Sequence, residues 1–129
     1  MPFIKIEIIK GHSKDYKDTL FRSVHDAIVS ALYIQENTCI QRIYELDECS
    51  FELSPGKTEK FTLIEITILP GRSAAMKKSV IIGIISLLGE RLQIPPADII
   101  IIIHEQPLEN FGFRGQHAIE MDLQYKKDV

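Results

Sequence analysis

The sequence predicts an α+β domain: two β-α-β units that form a four-stranded mixed sheet with two helices on one face. Three observations predict it. Strand-like alternation opens at Ile4 and again near Phe61. Each alternating stretch runs through a Gly-x-Ser into a long helical pattern. The two halves also align without a gap when one is moved sixty positions along the chain.

In the first unit, Ile4, Ile6 and Ile8 alternate with Lys5 and Glu7, the period of a half-buried strand. Gly11 breaks the pattern and Ser13 is placed to cap a helix. From Lys14 to about Tyr33, Tyr16, Leu20, Val24, Ile28 and Leu32 recur at helical spacing. A second strand is predicted from about Cys39 to Leu46. In the second unit a strand covers Phe61 to Leu69, and Ser73 caps a helix that ends near Gln93. Pro95 and Pro96 cannot continue that helix, and the next strand spans Ile99 to His104. Its unbroken isoleucines predict burial on both faces. Under the sixty-position shift, Gly11 and Ser13 meet Gly71 and Ser73, Lys17 meets Lys77, and Glu45 meets Glu105. The units therefore span about 1–46 and 61–105. Residues 47–60 form an extra hairpin or loop between them, and 106–129 a C-terminal hairpin and tail whose last part is a short helix or an edge strand. Two helices on one face leave the other face bare, and further copies of the chain are its simplest cover.

Bulk properties narrow the function. A chain of 129 residues fits one domain. Its formal charge of −3 gives no electrostatic footprint for nucleic acid or an anionic membrane. No apolar run approaches the ~20 residues of a membrane span, and no secretory leader is visible. Cys39 and Cys49 match no metal-binding spacing and read as free thiols in a reducing cytoplasm.

The stretch with chemical potential is the beginning. With Met1 removed, the chain starts with Pro2, a secondary amine on a strand. An α-amino group titrates near pH ~8, and burial or a nearby cation lowers that value. Two further stretches stand out: Gly71-Arg72-Ser73, and Asn110-Phe111-Gly112-Phe113-Arg114-Gly115. Taken alone, Arg72 at the mouth of a helix reads as a solvated charge. Arg114 could pair with Glu109 or Glu120, and Phe111 and Phe113 suit a core or an interface equally well. His12 is an outside candidate for a site role, as is Tyr44.

The proline on a strand, the duplicated β-α-β unit and these two stretches together resemble the tautomerase superfamily. Its simplest member, 4-oxalocrotonate tautomerase, is one short β-α-β unit, and this chain looks like two such units fused, as in malonate semialdehyde decarboxylase. The resemblance implies a homotrimer that acts on a small carboxylate substrate with no metal or organic cofactor. It implies Pro2 as catalytic base, Arg72 as substrate-binding arginine and Phe111 as aromatic wall. Phe113 would help exclude water, and Arg114 would supply a second cation. Departures limit it: the family's other arginine would fall at Ile40 or Ile100, and the decarboxylase's aspartate at Thr38. Leu69 stands near the place of another arginine. The expected activity is thus keto–enol tautomerisation of a 2-keto or 2-hydroxy-enoic acid. The alternatives are a decarboxylase or hydratase of a 3-oxo acid, or a non-enzymatic oligomer.

Overall fold

The computed structural model describes residues 1–123. Strand β1 (Phe3–Ile9) leads into helix α1 (Lys14–Leu32), and strand β2 (Ile40–Leu46) follows. Strand β3 (Thr62–Ile68), helix α2 (Ala74–Leu92) and strand β4 (Ile99–Glu105) repeat the order. A small hairpin, β5 (Gly112–Phe113) and β6 (Gln116–His117), comes last. The sheet order is β2-β1-β3-β4, with β1 and β2 parallel, β3 and β4 parallel, and β1 antiparallel to β3. This is the predicted four-stranded mixed sheet with two helices on one face.

The helix ends follow from local chemistry. Ser13 Oγ accepts the Tyr16 N–H, and Ser73 Oγ accepts the Met76 N–H, both at 3.1 Å. Tyr33 and Gln93 end the helices in left-handed conformation, with φ of 55° and 54°. Gly11 and Gly71 take φ of 127° and 108° in the strand-to-helix turns, where a side chain would be strained. Ile4, Ile6 and Ile8 of β1 and Ile64, Ile66 and Ile68 of β3 bury one sheet face against both helices. The helices cross closely: a Cβ on Gly83 would stand 3.3 Å from that of Ala27. Each unit also ties its helix to its second strand, through Lys17–Glu45 at 2.9 Å and Lys77–Glu105 at 3.2 Å. That is the role of the matched residues in the repeat. Neither helix is long and apolar enough to cross a membrane.

The sixty-position correspondence continues beyond the second strand of each unit. Short 3₁₀ turns at Glu48–Ser50 and Leu108–Asn110 are equivalent, and each ends on a phenylalanine, Phe51 or Phe111. Residues 52–60 then form a loop with no strand. It is fastened to the start of β4 by Asp98, which is buried and accepts hydrogen bonds from the Thr58 N–H, at 2.8 Å, and from the Thr58 hydroxyl. Lys57 and Lys60 donate to the Ala97 and Leu92 carbonyls at 2.6 and 2.9 Å.

One expectation fails in the single chain. Only Ile99 of the β4 isoleucines is fully buried, whereas Ile100 and Ile102 are 41 % and 42 % exposed. They point to the sheet face without helices, and burial on both faces would require a covering partner. In the tail, β6 is followed by a 3₁₀ turn at Ala118–Glu120. The tail's predicted helix or edge strand falls partly on residues 124–129, outside the described residues.

Thr58→Val removes one donor from the buried Asp98 carboxylate. The expected loss is about 1–3 kcal/mol, because a buried acceptor is left short of a partner. Urea unfolding measures it, and an unchanged midpoint would show that the loop is not held there.

Candidate active site

The antiparallel pairing of β1 with β3 decides what meets at one edge of the molecule. Phe3 pairs with Thr67, so the residues before Phe3 meet the end of β3 and the turn that follows it. Pro2 is buried there, and its carbonyl accepts the Ile40 N–H at 3.2 Å, which anchors the chain's start between β2 and β3. Arg72 enters from the glycine turn. It is only 5 % exposed and donates from Nη1 to the Leu69 carbonyl at 3.2 Å. A solvated surface charge is therefore the wrong reading of Arg72.

Arg114 arrives from the other side. It and Gly115 form the two-residue turn of the β5–β6 hairpin, with φ of 56° and 73°. Its Nη2 lies 3.6 Å from Met1 Sδ. Neither Glu109 nor Glu120 forms an ion pair with it among the described residues.

Beside them lies a cavity of about 440 Å³ lined by Met1, Thr38, Leu69, Arg114, Asp122, Leu123 and the stretch from Tyr33 to Gln35. The α-amine of Met1, which ends the chain there, is held below its ordinary value. Burial is the main cause, with the Arg72 and then the Arg114 guanidinium adding to it, while Cys39 acts in the opposite direction. Burial pushes the Cys39 thiol up. The environment thus favours a neutral amine beside cationic side chains.

Of the residues singled out in the sequence, Arg114 lines this cavity with Met1, while Pro2 and Arg72 are buried next to that end of the chain and are not among its lining residues. Phe111 and Phe113 do not line this cavity. Their rings meet edge to face at 6.3 Å and line a separate cavity of about 530 Å³ on the hairpin. His12 sits at the opposite end of the sheet, stacked on Tyr16 with centroids 4.0 Å apart, and its Nε2 is 2.9 Å from the Glu59 carbonyl oxygen. Burial, with the charges of Asp98 and Glu59, pushes the Tyr16 phenol there up to about 12. Tyr44 lies on the open sheet face, with Lys5 Nζ 5.9 Å from its ring centroid. Sequence reasoning did not find Tyr33, Gln35 or Asp122. Tyr33 reaches the cavity as the end cap of α1, and Asp122 through the fold-back of the tail, neither of which a local pattern announces. Thr38 and Leu69, two positions that depart from the resembled pattern, both line the cavity.

Comparison with known proteins gives the class. A family model described as a tautomerase enzyme matches residues 38–114, and a second one matches residues 2–51. The chain belongs to the tautomerase family. It is 23% identical over 123 residues to the probable tautomerase YusQ of Bacillus subtilis (strain 168), across 92% of this chain and 97% of that one. It is 39% identical over 57 residues to the 2-hydroxymuconate tautomerase of Comamonas testosteroni, across 44% of this chain and 90% of the relative. Among solved structures, a fused 4-OT asymmetric trimer superposes with a TM-score of 0.81 at 22% identity, covering 91% of this chain and 96% of that one.

Replacing Arg72 by Met should raise the pKa of the terminal amine toward its ordinary value, since a cation that disfavours protonation is gone. An NMR titration of the amine in both proteins checks this. An equal midpoint would show that the Arg72 charge does not contribute.

Proposed function

We propose that this chain is a cofactor-independent keto–enol tautomerase in which Pro2, freed by removal of Met1, is the general base. One observation carries the reading: the amino end of the chain lines a cavity with Arg114 and lies near the buried Arg72, in surroundings that lower the pKa of the Met1 amine. While Met1 is attached, the Pro2 nitrogen is an amide and has no basic lone pair, so its removal is a condition of the mechanism.

The substrate in this reading is a small 2-hydroxy-2-enoic acid or its 2-keto form. The Arg72 guanidinium, planar and always charged, binds the carboxylate through two parallel hydrogen bonds. The Pro2 amine takes the enol proton, the electron pair on oxygen forms the carbonyl, and the protonated proline returns one proton to carbon. Arg114 stabilises the oxyanion that develops between those transfers. The 3-oxo acid decarboxylase and hydratase alternatives gain nothing from Thr38, which has no carboxylate to orient water.

Assembly is part of the proposal. The open sheet face exposes Ile100, Ile102 and Tyr44, and a structural relative is described as a trimer. A cytoplasmic homotrimer would cover that face. Ile102→Asp should release protomers in sedimentation velocity, because it buries a charge in the contact. A variant that stays trimeric would place the contact elsewhere.

The central assay is ketonisation of phenylenolpyruvate, followed by absorbance, on protein whose intact mass shows Met1 removed. Pro2→Ala and Arg72→Ala should each lower kcat/KM about a hundredfold or more. Wild-type kcat/KM should rise with pH through an ionisation below ~8, because the base must be unprotonated and the burial and arginine charges that lower the Met1 amine would act on a free Pro2 amine beside it. Rates in both variants equal to wild type would defeat the mechanism. No wild-type rate, with Pro2 free and the oligomer intact, would favour another acid substrate or a non-enzymatic role.

A further inference from the structure

The cavity holds one feature that the proton-transfer mechanism does not use, the carboxylate of Asp122. Among the described lining residues it is the single anion, facing a space that also contains Arg114. It is not consumed by an ion pair with Arg114 or any other described residue. Its position is supported from below. Ala118 is 1 % exposed and its N–H donates to the Phe111 carbonyl at 3.0 Å, while the Met121 N–H donates to the Ala118 carbonyl at 3.2 Å. The 3₁₀ turn at Ala118–Glu120 therefore delivers Asp122 to the cavity from a pinned residue.

We infer that Asp122 is a specificity-determining residue that makes the site select a monocarboxylate with an uncharged tail and reject a dicarboxylate. The inference rests on the tautomerase reading in one respect, that the acid is bound by a carboxylate at the arginines. Once that carboxylate is bound, the rest of the substrate lies in a cavity of about 440 Å³ with Asp122 in its wall. A second carboxylate there meets a like charge. At ~6 Å and an effective dielectric near ~40, that repulsion weakens binding about tenfold. Arg114, the one cationic side chain among the described lining residues, is engaged by the reacting end of the acid in this reading, and Tyr33, Gln35 and Thr38 carry no charge to offset the repulsion. A hydroxyl tail can instead donate a hydrogen bond to the Asp122 carboxylate, and Ile34, Leu69 and Leu123 accommodate the carbon chain between the two ends.

The test is calorimetric binding of 2-oxohexanoate and 2-oxoadipate, acids of equal chain length that differ by one terminal carboxylate, to the intact oligomer lacking Met1. Wild type should bind the monoacid about tenfold or more tighter. Asp122→Asn should shrink that preference about tenfold, and Asp122→Glu should keep it. A role limited to holding the tail would weaken both acids together and leave their ratio alone. Equal affinities in wild type, an unchanged ratio in Asp122→Asn, or no binding of either acid would each overturn the inference. The readout is independent of turnover. Selective binding by an enzyme that fails to ketonise phenylenolpyruvate and is insensitive to Pro2→Ala would remove the tautomerase mechanism and leave this selectivity in place.

Discussion

The antiparallel pairing of β1 with β3 is the constraint on which the rest of this structure depends. In that pairing Lys5 stands opposite Glu65, and those two residues are also equivalent under the sixty-position repeat. The approximate two-fold axis relating the units thus passes between them, where Lys5 Nζ lies 3.3 Å from Glu65 Oε2. The same register stacks Ile4 against Ile66 and Ile6 against Ile64, which builds the centre of the core. It also brings the amino end beside the turn after β3. A slip of one residue would turn the buried isoleucines to the open face and carry Arg72 away from Pro2.

Duplication makes the two ends of the sheet equivalent in outline, and chain connectivity makes them different in chemistry. Met1 and Pro2 correspond to Phe61 and Thr62, and Arg72 corresponds to His12. A chain that passes through Phe61 as ordinary peptide has no amine to offer. Phe61 is buried and packs edge to face on Phe51, with ring centroids 5.8 Å apart. The loop after Phe51 is fastened by Thr58 and Asp98 and closes over that end. At the other end the corresponding segment after Phe111 becomes a hairpin, and its turn carries Arg114 toward the cavity. One fold repeated twice therefore holds one arginine-flanked terminus.

The open sheet face has a layered character. Near the axis it is polar: Glu65 receives Lys5 and also lies 2.9 Å from His104 Nε2. The His104 contact, aided by Lys5, keeps the Glu65 carboxyl below the usual range. Toward the outer strands it is apolar, with Ile40, Ile100 and Ile102 exposed. An apolar margin of this kind on an otherwise compact protein is a surface suited to association.

Most of the secondary structure was legible in the sequence because its causes are local. Alternation places isoleucines on one strand face, Ser13 and Ser73 cap the turns that follow them, and Pro95 and Pro96 stop a helix. The repeat and the resemblance extended this to the sheet and to Pro2, Arg72 and Arg114 as residues worth watching. What the sequence could not decide depends on residues far apart in the chain. Burial of Arg72 follows from strand register, the exposure of Ile100 and Ile102 from the sheet having helices on one side only, and the separation of Phe111 and Phe113 from the cavity by the hairpin's orientation. Tyr33, Thr38 and Asp122 share one cavity because a helix cap, a strand entry and a folded-back tail converge there. A local pattern records the shape of each segment, and only the packing of segments against one another sets which side chains face the same enclosed space.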